Sequence, residues 1–189
     1  MDKTTLRKQY LKLRNGLSPS DTSFLSSRIT SSFLSSSRFQ KNSSFLLYLN
    51  VGNEVVTRNI IDHAVEAGKK VYLPDPVIIN EKIRVAQFES WDSMVKGAYG
   101  IAFPDGKAVE LKETDITIVV MPGIAFDTKG NRIGFGKGFY DRLLGDLQIE
   151  KVALAYDFQI HEGQLPEEEH DVRTETLFTE KRTIICNNF

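Results

Sequence analysis

The sequence predicts one domain with a layered α/β fold, a mixed, mostly parallel sheet flanked by helices. Three observations lead there. "SFLLYLN", the helix-like "RNIIDHAVEAGKK" and "KVYLPDP" follow one another in strand, helix, strand order, the pattern of a crossover between parallel strands. The strand candidates are continuous apolar runs instead of alternating ones, as expected where both sheet faces are covered. The chain has 189 residues, 41% of them hydrophobic, and a formal charge of -1, which suits a single globular domain over residues 1–189.

The elements follow in order. Leu6, Tyr10, Leu13 and Leu17 recur at spacings of three and four, so the first segment reads as an amphipathic helix ending near "NGLSPSD". Residues 18–44 contain twelve serines, yet Phe24, Leu25, Ile29, Phe33 and Leu34 keep a helical period through them, with Ser20 or Asp21 as the cap. Thr57 precedes a helix that stops at Gly68. "KIRVAQF" reads as a strand, "SWDSMVKG" as a short helix, "AYGIAFPDG" as a loop and "DITIVVMPG" as a strand. A helix around "FYDRLLGDL", the strand "KVALAYD", the acidic loop "EGQLPEEEHDV" and a last strand "RTIICN" complete the chain. Mixed strand directions are expected.

The composition excludes several classes. No Lys/Arg-rich run marks a nucleic-acid footprint, and no segment has the apolar length of a membrane span or a signal h-region. Cys186 stands alone, so neither an internal disulfide nor a thiolate zinc site is expected, and it reads as a core thiol in a reducing, cytoplasmic protein. No heptad pattern argues for an oligomer, and a monomer is expected. His161 and His170 lie in polar loop sequence and read as surface residues.

Chemistry concentrates in "GNRIGFGKGFYDRLL". Gly134, Gly136 and Gly138 alternate, which lets backbone approach a ligand and adopt positive φ. Placed between "DITIVVMPG" and a helix beginning near Phe139, the loop would aim backbone N–H groups at an anion. Arg132 adds a planar fork of donors and Lys137 a point charge, a combination suited to polyphosphate. The segment matches neither GxxxxGK[ST] nor GxGxxG. Read from spacing alone, it is equally a tight turn required by packing.

The longer run "MPGIAFDTKGNRIGFGKGFYDRLL" resembles the signature of the 5-formyltetrahydrofolate cyclo-ligase family. The resemblance extends in order to "KTTLR", "YLNVGNEVVT", "KKVYLP", "KGAYGIAFPDG" and "VALAYDFQIHEGQLPEEEHDV". It implies a three-layer, Rossmann-like α/β fold and conversion of 5-formyltetrahydrofolate to 5,10-methenyltetrahydrofolate, with ATP as co-substrate, Mg²⁺ as cofactor, and release of ADP and phosphate. By that resemblance Lys3 and Arg7 touch nucleotide phosphates, and the ATP-binding loop maps onto Arg132, Ile133, Gly134, Phe135, Gly136, Lys137, Gly138, Phe139 and Tyr140. Lys137 and Arg132 serve catalysis, Glu54, Phe135 and Tyr140 contact the folate, and Asp141 and Asp171 hold the metal. Phe103 stands before Pro104, where the family usually has an acidic residue. Little covalent chemistry falls to such a protein: the formyl oxygen attacks the γ-phosphorus, N10 adds to the activated carbon, and phosphate leaves. The lysines of "EAGKK" are candidate partners for a folate polyglutamate tail. Two alternatives stand beside this reading: an enzyme acting on sugar phosphates or acyl-CoA on a related scaffold, and a non-catalytic folate or nucleotide binder.

Overall fold

The computed structural model describes residues 1–75, 84–97, 102–145 and 147–186. Five helices are described. Helix α1 (Lys3–Asn15) is capped by the Asp2 side chain. Helix α2 (Pro19–Ser35) and the short α3 (Ser37–Lys41) follow, then α4 (Arg58–Glu66) and α5 (Phe139–Leu144). The main sheet contains β1 (Ser44–Leu46), β2 (Lys70–Pro74), β3 (Arg84–Gln87), β6 (Val109–Glu110), β7 (Ile118–Met121), β10 (Glu150–Leu154), β11 (Thr176–Phe178) and β12 (Thr183–Ile185). Two further pairs lie outside it: β4 (Met94–Lys96) with β5 (Ala102–Pro104), and β8 (Ala125–Phe126) with β9 (Arg132–Ile133).

The sheet order is β12-β11-β10-β7-β1-β2-β3-β6. Its five central strands, β11 through β2, are parallel, while β12 and β3 pair antiparallel at the flanks. Mixed directions are thus observed, and β1-α4-β2 is the crossover unit expected from the sequence. Alternation along each strand divides the core in two. Phe45, Val71, Ile118, Val120 and Val152 point to one face, where Ile29, Phe33, Phe39, Ile60 and Ile61 of α2, α3 and α4 cover them. Leu46, Tyr72, Val119 and Met121 point to the other, against Tyr140, Leu143 and Leu144 of α5. Three layers result, and every residue of β1 and β7 is buried, which explains their continuous apolar runs. Helix α1 packs outside these layers: Leu6 and Tyr10 meet Ile124, Ala125, Ile133 and Leu165 around the β8–β9 hairpin. Leu13, on the same expected face, is half exposed.

Several local expectations are corrected. Ser18 caps α2, accepting a hydrogen bond from Asp21 N, with Pro19 in the first turn where its missing N–H costs nothing. Thr57 begins α4 without a side-chain cap, because its hydroxyl donates to the Tyr48 carbonyl instead. "SWDSMVKG" forms one 3₁₀ turn at Trp91–Ser93 and then β4, and part of "AYGIAFPDG" is its partner β5. Residues 82–83 of the expected third strand, 98–101 of that loop and 187 of the expected last strand lie outside the described residues. Strand β11 escaped notice because "TLF" carries no period of its own; its pairing with β10 decides it.

Candidate functional site

Parallel strands run outward from β1 in both directions, to β2 on one side and through β7 and β10 on the other. The connections leaving β1 and β7 therefore part company at their carboxyl ends, the switch point where open α/β sheets bind ligands. Two sequence-selected segments lie there. Glu54 sits in the connection leaving β1, and the glycine loop in the one leaving β7. A hairpin, β8–β9, intervenes between β7 and that loop, so the loop joins β9 to α5 instead of continuing directly from "DITIVVMPG".

The alternating glycines make room for guanidinium groups. A Cβ on Gly134 would stand 2.8 Å from Arg132 Nη1, one on Gly136 3.4 Å from Arg7 Nη2, and one on Gly138 3.1 Å from Arg142 Nη1. Gly136 and Gly138 also have φ of +86° and +57°, which a Cβ disfavours. Arg7 Nε donates to the Gly134 carbonyl at 2.8 Å and so ties α1 to the loop. Helix α5 has only six residues, so the arginines, more than a helix dipole, supply the positive charge here. Arg142 is the cation that sequence reasoning passed over; its position four residues after Gly138 is the signal that would have found it. Phe135 is half exposed in the loop, Phe139 stacks edge-on with Tyr140, and Ile133 is buried against α1, where its side chain serves packing.

The acidic candidates are engaged. Asp141 Oδ1 accepts from Arg132 Nη2 at 3.0 Å and from Val172 N at 3.1 Å, with both side chains largely buried. Arg132 Nε is buried without a partner. The Asp141–Val172 bond ties α5 to the segment that carries Asp171. Asp171 Oδ2 accepts from Lys3 Nζ at 2.6 Å and from Glu168 N at 2.8 Å. Burial alone would raise the Asp171 carboxyl, but Lys3 and the Glu168 N–H outweigh it and hold it below its ordinary value. Burial would likewise depress the Lys3 ammonium, and its two carboxylate partners, Asp171 and Glu168, raise it instead. Asp141 Oδ2 and Asp171 Oδ1 stand outside these bonds. Two carboxylate oxygens completed by substrate phosphates form a donor set that Mg²⁺ accepts. Among the described residues no cluster of three or more His, Cys, Asp or Glu offers an all-protein metal cage.

Glu54 is buried, with Oε2 accepting from Val51 N at 2.9 Å and Oε1 3.6 Å from Arg14 Nη1. Burial raises its carboxyl above the ordinary value, opposed by the Val51 N–H and the Arg14 charge. Tyr140 is buried on the adjoining side, and burial pushes its phenol well up. Sequence reasoning missed Arg14 because it reads as one more cation in a basic helix.

Other candidates fall elsewhere. Lys69 and Lys70 lie at the amino end of β2, the opposite end of the sheet. Lys69 Nζ donates to the Asn42 carbonyl and Lys70 pairs with Asp115. His170 is exposed, whereas His161 is half-buried with Nδ1 3.0 Å from Tyr10 Oη, a correction to its surface reading. Cys186 is buried as expected, and burial raises its thiol to about 11. Phe103 is half-buried on β5 opposite Val95. An open polar groove of about 440 Å³ between α2 and the β11–β12 turn, lined by Ser27, Arg28, Lys181 and Arg182 among others, shares no residue with this site.

Fold and site together define a Rossmann-like α/β protein with arginines gathered around a glycine loop at its switch-point crevice. The model of the 5-formyltetrahydrofolate cyclo-ligase family matches residues 1–180. A relative named "Probable 5-formyltetrahydrofolate cyclo-ligase" from Schizosaccharomyces pombe is 31% identical, covering 73% of this chain and 75% of its own. The 5-formyltetrahydrofolate cyclo-ligase of Mus musculus is 26% identical over 94% and 93% of the two chains. The NMR structure of Aquifex aeolicus 5,10-methenyltetrahydrofolate synthetase superposes with a TM-score of 0.86 at 33% identity, covering all of this chain and 95% of that one. The chain belongs to the 5-formyltetrahydrofolate cyclo-ligase family, a ligase of folate one-carbon metabolism with ATP dependence as a family property. No described helix is long and apolar enough to cross a membrane.

Proposed function

We propose that residues 1–189 act as one domain that performs the family's cyclo-ligation in the crevice between the β1 and β7 connections, with Mg-ATP held by the glycine loop and α1. The observation that carries this assignment of the site is the placement of Arg7, Arg132 and Arg142 around alternating glycines, within one switch-point crevice that also contains Glu54. A formamide carbonyl is a weak electrophile. Attack of the formyl oxygen on the γ-phosphorus breaks the bond to ADP and makes that oxygen a leaving group. N10 then bonds to the formyl carbon, the phosphate departs with the oxygen, and N10 loses its proton.

The protein's part is alignment and charge. Lys3, Arg7 and the loop N–H groups bind the phosphates, and Lys137 and Arg132 stabilise charge moving between them. Glu54 accepts hydrogen bonds from the folate, and Phe135 and Tyr140 supply the adjoining ring surfaces. Asp141 and Asp171 would hold Mg²⁺, which neutralises phosphate charge. The experiment mixes purified protein with 5-formyltetrahydrofolate and follows the conjugated methenyl product by absorbance, with ADP measured in parallel. Product that requires both ATP and Mg²⁺, with ADP in equal amount, supports the assignment; ADP formed without folate, or product formed without ATP, refutes it. Lys137→Ala tests the loop directly: loss of one cation worth about 3 kcal/mol lowers turnover by orders of magnitude in a folded protein, and near-normal turnover removes Lys137 from that role.

A further inference from the structure

Arg14, in the last turn of α1, touches three of the segments that converge on the crevice. Its side chain is only 5% accessible. Nη1 donates to the Gly123 carbonyl beyond β7 at 3.2 Å and lies 3.6 Å from Glu54 Oε1 in the connection leaving β1. The guanidinium carbon is 5.4 Å from the centre of the Phe135 ring in the glycine loop. The backbone is tied in as well, since Asn53, the neighbour of Glu54, donates from its side chain to the Arg14 carbonyl at 3.2 Å.

This is an expensive residue for packing alone. A guanidinium so buried with Nε unpartnered carries a desolvation cost that an apolar side chain of similar length would avoid. Glu54 is the complementary case: Oε2 is engaged by Val51 N, while Oε1 faces Arg14 at a distance too long for a hydrogen bond. Both groups thus keep bonding capacity inside the protein, at the point where the folate side and the nucleotide side meet.

We propose that Arg14 is a positioning residue for the reaction, holding the Glu54 carboxylate and the Phe135 ring in register across the crevice. The proposal rests on the reading of Glu54 as a folate contact. Electrostatics support the geometry. The titratable groups near Glu54 are Arg14 from α1, Tyr140 from α5 and Tyr48 after β1, with Arg132 beyond Tyr140. Burial pushes both phenols up, so they stay neutral, and Arg14 is the cation that counters the desolvation of Glu54. Without it the carboxylate would take up a proton at higher pH and lose acceptor capacity.

The test measures initial rates across pH for Arg14→Met, Arg14→Lys, Glu54→Gln and the Arg14→Met/Glu54→Gln double variant, with thermal midpoints alongside. Arg14→Met is expected to raise the KM for 5-formyltetrahydrofolate about tenfold or more and to move the acid limb of kcat/KM to higher pH. Arg14→Lys restores the limb, because it keeps the charge, but leaves KM severalfold high, because a lysine cannot span Gly123 and Glu54. In the Glu54→Gln background, Arg14→Met adds less than about twofold. A purely structural Arg14 would move neither the limb nor the coupling. A normal folate KM and limb in Arg14→Met, beside a raised KM in Glu54→Gln, overturns the proposal alone; a normal KM in Glu54→Gln overturns the reading beneath it and the proposal together. Should Arg14→Met not fold, Arg14→Lys decides: an unchanged folate KM overturns the proposal.

Discussion

Replacing Asp141 separates two roles that its position offers. The carboxylate sits 3.0 Å from Arg132 Nη2, with side-chain accessibilities of 16% and 7%, and it also accepts the Val172 N–H. Asp141→Ala would leave a buried guanidinium without its counter-charge and a backbone donor without its acceptor. Removal of one partner from a buried pair costs about 3–5 kcal/mol. At about 2–4 °C per kcal/mol for a chain of this size, the melting midpoint should fall by about 6–20 °C. The assay is thermal and urea unfolding of the protein free of nucleotide and Mg²⁺, with an unchanged urea slope showing that the same transition is followed. Arg132→Met combined with Asp141→Leu should recover much of the loss, since a well-packed apolar pair avoids the stranded charge. A loss below about 1 kcal/mol for Asp141→Ala would refute the reasoning. The carboxylate would then matter only once metal and nucleotide arrive.

Further outcomes follow from the same geometry. Gly136→Ala places a Cβ at positive φ, 3.4 Å from the Arg7 guanidinium, and should cost about 1–2 kcal/mol while raising the KM for ATP more than that for folate, read by initial-rate kinetics. Gly130→Ala drives a Cβ into the Thr174 carbonyl oxygen and should unfold the protein at a much lower temperature than Gly52→Ala, which has positive φ but nothing within 4 Å. For Glu54, a carboxyl held above its ordinary 4.5 favours its protonated form in the fold, so its contribution to stability is present below pH 4.5 and lost as pH rises through the folded value. The proposed folate contact through the carboxylate runs the other way. The acid limb of kcat/KM for folate should lie above 4.5 and vanish in Glu54→Gln, as a pH series would read.

The layered sheet was legible because β1 and β7 are buried on both faces and announce it as unbroken apolar runs. The glycine loop was legible by composition, but the reason for its glycines was not: the arginines that crowd them come from residue 7 of α1, from β9 and from α5. Nor could spacing reveal Arg14, whose burial depends on Gly123 and Glu54, both remote along the chain. Strand β11 and the β4–β5 pair were opaque for a related reason, since these short strands, unlike β1, carry no long apolar run of their own and owe their existence to a partner.

The Lys3–Asp171 ion pair spans 168 positions of a 189-residue chain. That contact joins the first helix to a loop far along the chain, so the proposed nucleotide cradle draws on segments remote in sequence. A nucleotide bound there would stabilise only the assembled fold, because α1 by itself supplies only part of the proposed cradle.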